Sequence, residues 1–372
     1  MAESTRLVDL VQDDIDRFLD DRASHLQDIA SELAPLIDYS RTLLHGGKRF
    51  RALFCYWGWQ STQTQTHDFD LIPDAPEAQH DAIVRACAAL ELFHAAALVH
   101  DDIIDNSDTR RGGESIHKRF EAIHIAGGWS GPSEAFGRSA ALLLGDLLLA
   151  WSDEAFNEAL ALTQPSTARA AGRSEHHCMR SEVMLGQYLD ILNEQAWMSF
   201  PESEQLPRAH KVIVYKSAKY SVEAPLAIGA ALGGATPEER DALRAFGLPL
   251  GIAYQLRDDL LGVFGDPTVT GKPAGDDLRE GKRTVLVALA RAALPANATS
   301  LFDELLGDRE LSELQVRTIQ DTIKESGAVD QVEAIIQRNV DLAKDALHTA
   351  KITSSARNQL LNLAESAIKR TA

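Results

Sequence analysis

The chain has 372 residues, 45% hydrophobic and 25% charged, enough apolar matter for a packed core and too much for a disordered or low-complexity chain. Its 37 Lys and Arg against 55 Asp and Glu leave a net charge of −18. That is the reverse of what neutralises nucleic-acid phosphates, so no nucleic-acid partner is expected, although a local basic pocket for a small anion stays open.

Aromatic residues are only 6%, and Ala and Leu dominate the apolar share, which leans towards helix. Leu7, Val8, Val11, Ile15, Phe18 and Leu19 recur at helical spacing and predict a first amphipathic helix. Asp13, Asp14, Asp16, Asp20 and Asp21 then read as its solvated face. Ser61–His80, rich in Thr, Gln, Asp and Pro, reads as a surface loop, and Gly127–Ser133 as a second. Between and beyond them, helices are predicted over Asp81–Asn106, Ala135–Ala161, Ala168–Gln195, Pro207–Leu232 and Pro237–Phe264, with more after Thr284. No stretch alternates with period two for long enough to make a convincing strand, and neither a repeat nor a linker composition breaks the chain. The expectation is all-α, with residues 1–372 as one large helical bundle. Cys55, Cys87 and Cys178 form no CxxC pair, which excludes a disulfide framework or zinc ribbon. With no secretory leader and no uninterrupted apolar run of about 18 residues, a soluble cytoplasmic protein without a transmembrane segment is expected.

The sharpest feature is HDDIIDNSDTRR, His100–Arg111, at the end of a strongly apolar helix. Asp101 and Asp105 are one turn apart on one face, where like charges repel. A divalent cation such as Mg²⁺, which takes a few carboxylates and completes its shell with water and phosphate, would compensate; a solvated acidic helix end is the alternative. A second acidic pair, Asp258 and Asp259, closes another apolar run. Basic islands lie around both: Gly46–Arg51, Arg110–Arg111, Lys216 with Lys219, and Gly271–Arg283. Acidic patches on apolar helices with cationic islands suit the binding of two phosphorylated apolar molecules. Glu175, His176, His177 and Cys178 have no matching second half for a zinc site.

GGKRFR, DDIIDNSDTRRG, ALLLGDLLLA, GQYLD, YKSAKYSVEAPL, YQLRDDLLG and GKPAGDDLREGKRT occur in that order over about Leu43–Leu289. In these motifs the chain resembles the trans-isoprenyl diphosphate synthases, the all-α polyprenyl synthetase family, and most of all geranylgeranyl diphosphate synthases of bacterial type. The resemblance implies a helical bundle around a central active-site cavity, a homodimer, and about three Mg²⁺ that assist ionisation of an allylic diphosphate. It implies Asp101, Asp105 and Asp258 as metal ligands, with Asp102, Asp259 and Asp190 as supporting carboxylates. Arg110, Lys216, Lys272 and Lys282 would hold the allylic diphosphate, and Lys48, Arg51, His94 and Arg111 isopentenyl diphosphate. Ser217 and Gln255 would line the allylic cation. Three positions depart from the usual pattern: Gly262 stands for the last aspartate of the second motif, Tyr254 for Phe and Ser217 for Thr. A terpene cyclase would not need GGKRFR or Arg111, and a non-catalytic partner subunit would have lost an acidic motif. Product length should be read on the helix before Asp101: Ala96 and Ala97 are too small to close a farnesyl-length pocket, and Phe93, then Leu90, lie deeper.

Overall fold

The structure is a computed structural model that describes residues 2–63, 77–266 and 275–368. Among the described residues it is all-α apart from one small hairpin, and it gathers into two compact units: Met1–Arg173 with Ile228–Ala235, and Ser174–Ala227 with Thr236–Ala372.

The first unit contains α1 (Ala2–Ile29), α2 (Ala34–Leu44), α3 (Phe50–Gln60), α4 (Glu77–Ile104), α5 (Ile116–Ala126) and α6 (Ser133–Leu162). Its core lies along α4 and α6. Gly137 of α6 lets α5 pack closely, since a Cβ there would overlap the His117 carbonyl, and Gly145 allows the α4–α6 approach, since a Cβ there would overlap the His100 ring. The Ser152 hydroxyl donates to Ala89 O at 2.8 Å and ties the same pair. Ala78–Ile104 is long and apolar enough to cross a membrane, but 78% of its most apolar window is buried inside the fold, so it serves as a core helix.

The second unit holds most of α7 (Ser166–Gln195), α8 (Glu202–Val212), a π-helix (Ile213–Glu223), the start of α9 (Ala224–Leu232), α10 (Pro237–Phe264) and, among the described residues, six helices beyond. Those used below are α11 (Asp276–Glu280), α12 (Val285–Ala293), α14 (Glu313–Glu325) and α15 (Ala328–Thr349). A capping box starts α10: Thr236 accepts from Glu239 N, Glu239 accepts from Thr236 N, and Pro237 takes the first turn. Ile252, Leu256, Leu260 and Val263 of α10 meet Val285 and Leu286 of α12, Ile319 of α14 and Ile336 of α15 in one core.

The helices follow the predicted periodicity, with four physical differences. Helix α4 ends at Ile104, because Asn106 takes a left-handed φ of 54° and Ser107 N donates back to Asp102 O, a Schellman-type stop. Two short strands, Thr109–Arg110 and Gly113–Glu114, pair antiparallel where none was expected. The helix predicted from Pro207 starts at Glu202, so Pro207 lies inside it, and changes to π geometry at Ile213. Asp14 is not solvated: it is 5% exposed and pairs with Arg85 at 2.9 Å, while Asp13, Asp20 and Asp21 are exposed as expected.

Candidate active site

In the first unit, Asp105 N donates to Asp101 O at 2.8 Å, so the two carboxylate positions lie one turn apart as the spacing predicted. They stand at a helix C-terminus, where backbone carbonyls already concentrate negative potential, and no basic residue lies in the last turn. Two arginines from outside α4 offset this. Arg138 of α6 donates to Ile103 O at 2.9 Å and to Asn106 Oδ1 at 2.7 Å. Arg110 donates to Asp102 through Nε at 2.9 Å and to Asp101 at 3.3 Å. Burial would lower the Arg110 pKa; Asp102 and Asp101 outweigh it and hold the guanidinium above its ordinary value.

Arg110 sits on the first strand of the hairpin, and Arg111 and Gly112 form its turn with φ of 53° and 78°. Positive φ at both central positions is the type I′ geometry that matches strand twist, and it places an arginine where Asn or Gly is usual. Such a conformation costs a non-glycine residue about 1–2 kcal/mol. Arg111 donates to Leu43 O at 3.3 Å, at the end of α2, and its guanidinium lies 3.8 Å from where a Cβ on Gly47 would stand, beside the loop that carries GGKRFR. In that loop Lys48 is exposed and Arg51 half-buried on the first turn of α3.

His94 lies seven residues before Asp101, on the same face of α4. Burial, then Arg51, Arg111, Arg110 and Arg49, push its pKa well below the ordinary histidine value. It is therefore neutral near pH 7, with one N–H to donate. The first unit thus brings Arg51, Arg110 and Arg111 together around His94 and adds Arg49, which sequence reasoning passed over. Arg49 pairs with the buried Glu91 at 3.1 Å. The signal was a glutamate inside the apolar run AALELFHAAALV, which cannot stay charged there without a cation.

In the second unit the π-helix presents Lys216 and Ser217, both half-buried. Lys216 Nζ pairs with Asp190 of α7 at 2.5 Å. Glycines let α7 and α10 approach this widened helix: a Cβ on Gly186 would overlap the Lys216 backbone, one on Gly251 the Ala218 backbone, and one on Gly247 would crowd Glu223. On α10, Asp258 is exposed, and Gln255 donates to the buried Asp259 at 2.8 Å. Burial raises the Asp259 pKa to about 8, and Asp277 and Asp258 add to it against the Gln255 bond. Where the last aspartate of the motif is missing, the Asp277 carboxylate fills the space: a Cβ on Gly262 would overlap it. Lys282 pairs with Glu280 at 3.3 Å, and Lys272 lies outside the described residues.

These residues fit a divalent cation bound mainly through solvent and ligand oxygens. Among the described residues no three His, Cys, Asp or Glu side chains converge on a complete protein shell, and the Glu175–Cys178 cluster forms no metal group. Asp259 Oδ2 is buried without a hydrogen-bond partner among them, beside the repelling Asp258 and Asp277. Such crowding is what a bound Mg²⁺ relieves, since Mg²⁺ takes one or two carboxylates per site and keeps several waters.

Comparison with known proteins agrees with this chemistry. The polyprenyl synthetase family matches residues 34–323. The chain is similar to the geranylfarnesyl diphosphate synthase of Aeropyrum pernix, 32% identical over 296 residues, 77% of this chain and 82% of that one. It is also similar to the geranylgeranyl diphosphate synthase of Methanosarcina mazei, 28% identical over 362 residues, 94% and 96% of the two chains. A crystal structure of geranylgeranyl pyrophosphate synthase from Corynebacterium glutamicum, complexed with isoprenyl diphosphate and magnesium, is 36% identical with a TM-score of 0.88, over 98% of this chain and 99% of that one. The chain belongs to the polyprenyl synthetase family of trans-prenyltransferases.

Proposed function

We propose that the protein condenses isopentenyl diphosphate with an allylic diphosphate (dimethylallyl, geranyl or farnesyl) and releases diphosphate. One observation carries this reading. In a chain of net charge −18, Arg51, Arg110 and Arg111 lie close enough to His94 to depress its protonation, on the face of α4 that ends in Asp101, while the nearby Arg49 is already paired with Glu91. That is a binding place for a multiply charged anion beside carboxylates that suit a metal.

Asp101, Asp105 and Asp258 would hold Mg²⁺, about three ions per active site, which when bound supply positive charge to the departing diphosphate. Arg110, Lys216, Lys272 and Lys282 hold the allylic diphosphate and stabilise the negative charge that grows as its C1–O bond breaks. Ser217 and Gln255 turn their dipoles to the allylic cation; because Gln255 spends its N–H on Asp259, its oxygen is the end left for that task. Lys48, Arg51, Arg111 and neutral His94 hold isopentenyl diphosphate while its double bond attacks C1. The proton then leaves to the released diphosphate. We also propose that residues 1–372 work in the cytoplasm as one catalytic domain; the family match over residues 34–323, which includes parts of both compact units, supports the single domain.

We propose geranylgeranyl diphosphate as the main product, farnesyl diphosphate as a by-product and longer chains as the alternative. Ala96 is fully buried and small, and Phe93, 2% exposed, is the next bulky side chain on that row. One helix turn is about 5.4 Å, close to one isoprene unit, so Ala96→Phe should shorten the product by about one unit and Phe93→Ala lengthen it. Incubation of the purified protein with isopentenyl diphosphate, Mg²⁺ and each short primer, followed by product analysis, tests both claims. No elongated product overturns the activity; an unchanged distribution in both variants overturns the floor. Leu143 of α6 and Leu185 and Tyr188 of α7 are each more than 60% exposed, large apolar side chains that support a homodimer built on these helices, to be checked by sedimentation equilibrium.

A further inference from the structure

Arg49 belongs to neither diphosphate clamp, yet it is 6% exposed and takes a left-handed φ of 49° between Lys48 and Phe50. Its guanidinium donates to Glu91 at 3.1 Å, to Gln12 at 2.5 Å and to Leu44 O. Glu91 is 5% exposed and spends its other oxygen on Ala52 N at 3.3 Å, at the start of α3. One carboxylate thus caps the helix that carries Arg51 and anchors the residue next to Lys48, one turn before His94 on α4. The left-handed backbone at Arg49 is strained for an arginine, and such strain persists only where its surroundings over-determine it. The buried fork supplies that determination.

We propose that Arg49 and Glu91 are positioning residues for isopentenyl diphosphate: their buried pair fixes the backbone on which Lys48 and Arg51 are aimed. The inference rests on the clamp assigned above. A lysine at 49 keeps the charge without the fork, so it should preserve part of the effect. Replacing both partners by apolar residues removes the pair without leaving a buried charge alone, which keeps the variant foldable.

The test is steady-state kinetics on Arg49→Lys, Glu91→Gln and the double variant Arg49→Met/Glu91→Leu, with Lys48→Ala in parallel and thermal unfolding of each. Glu91→Gln and the double variant are expected to raise the KM for isopentenyl diphosphate about tenfold, the scale set by one charge-assisted hydrogen bond. The KM for the allylic primer and kcat should stay within about twofold, and Arg49→Lys should fall between them and the unsubstituted protein. If Lys48→Ala raises the KM for isopentenyl diphosphate and the folded double variant does not, the positioning role is overturned alone. If Lys48→Ala leaves that KM unchanged, the clamp assignment fails and takes the inference with it. A drop in melting temperature with both KM values and kcat altered together would show a purely structural pair and would also overturn it.

Discussion

Asp101 and Asp105 stand where a helix end makes further negative charge unwelcome, and Arg110 meets only part of it. Asp101→Ala or Asp105→Ala should therefore leave the fold intact while removing several kcal/mol of charge stabilisation in catalysis, about a hundredfold or more in kcat. Asp13→Ala, on the exposed face of α1, should do nothing. A near-normal kcat in the first two variants sinks the metal assignment. Gly262 gives a less obvious prediction. Restoring the usual aspartate, Gly262→Asp, should harm the enzyme, because the Asp277 carboxylate fills that space and must swing aside to admit a second negative charge beside Asp258 and Asp259. Overpacking of this kind costs about 1–3 kcal/mol, read as a lower melting temperature together with a lower kcat. The departure at 262 was plain in the sequence. The carboxylate packed against it was not, because Asp277 lies fifteen positions on and no spacing rule links the two.

Helix existence was legible because apolar residues repeat every three or four positions through α1, α4, α6 and α10. The π geometry of Ile213–Glu223 was not, since the same side chains suit an α-helix and the widening answers to neighbours rather than to propensity. The packing shows which neighbours: Gly186 and Gly251 touch its backbone from two sides. Gly186→Ala should therefore displace the Lys216 backbone and part Lys216 from Asp190. A helix normally gains up to about 1 kcal/mol from Gly→Ala. Here melting temperature and kcat should both fall, and a more stable, fully active variant would show that the close approach is not needed. The hairpin escaped prediction for another reason. Strands of two residues are too short to show alternation, and Arg111 is a poor residue for the turn it makes.

Three histidines, His94, His117 and His176, have pKa values lowered first by burial, His176 to about 3. Each is neutral in the folded protein and regains its ordinary value near 6.5 on unfolding. Below that pH the unfolded chain takes up protons that the folded one refuses, so stability is complete above about pH 7 and falls as pH drops. Each such group contributes up to about 1.4 kcal/mol per pH unit until its folded pKa is reached. Asp259, pushed up to about 8, and Asp14 and Glu223, also raised by burial, act in the opposite sense over the same range, so the comparison of variants isolates the histidine. Between pH 7 and 4 the urea midpoint of His176→Gln should fall less, or rise more, than that of the unsubstituted protein, and an equal change would refute the assignment. The first unit also has a consequence for biosynthesis. Its interior is completed by Ile228–Ala235, where Gly229 lies against Cys55, Gly233 against Trp59, and Thr62 donates to Gly233 O at 3.0 Å. At roughly 5–20 residues per second, a ribosome needs several seconds to travel from Arg173 to that segment. Until then the nascent chain exposes an unfilled groove beside Cys55 and Trp59, so a stop or long pause in that interval leaves a fragment inviting chaperones rather than a finished half.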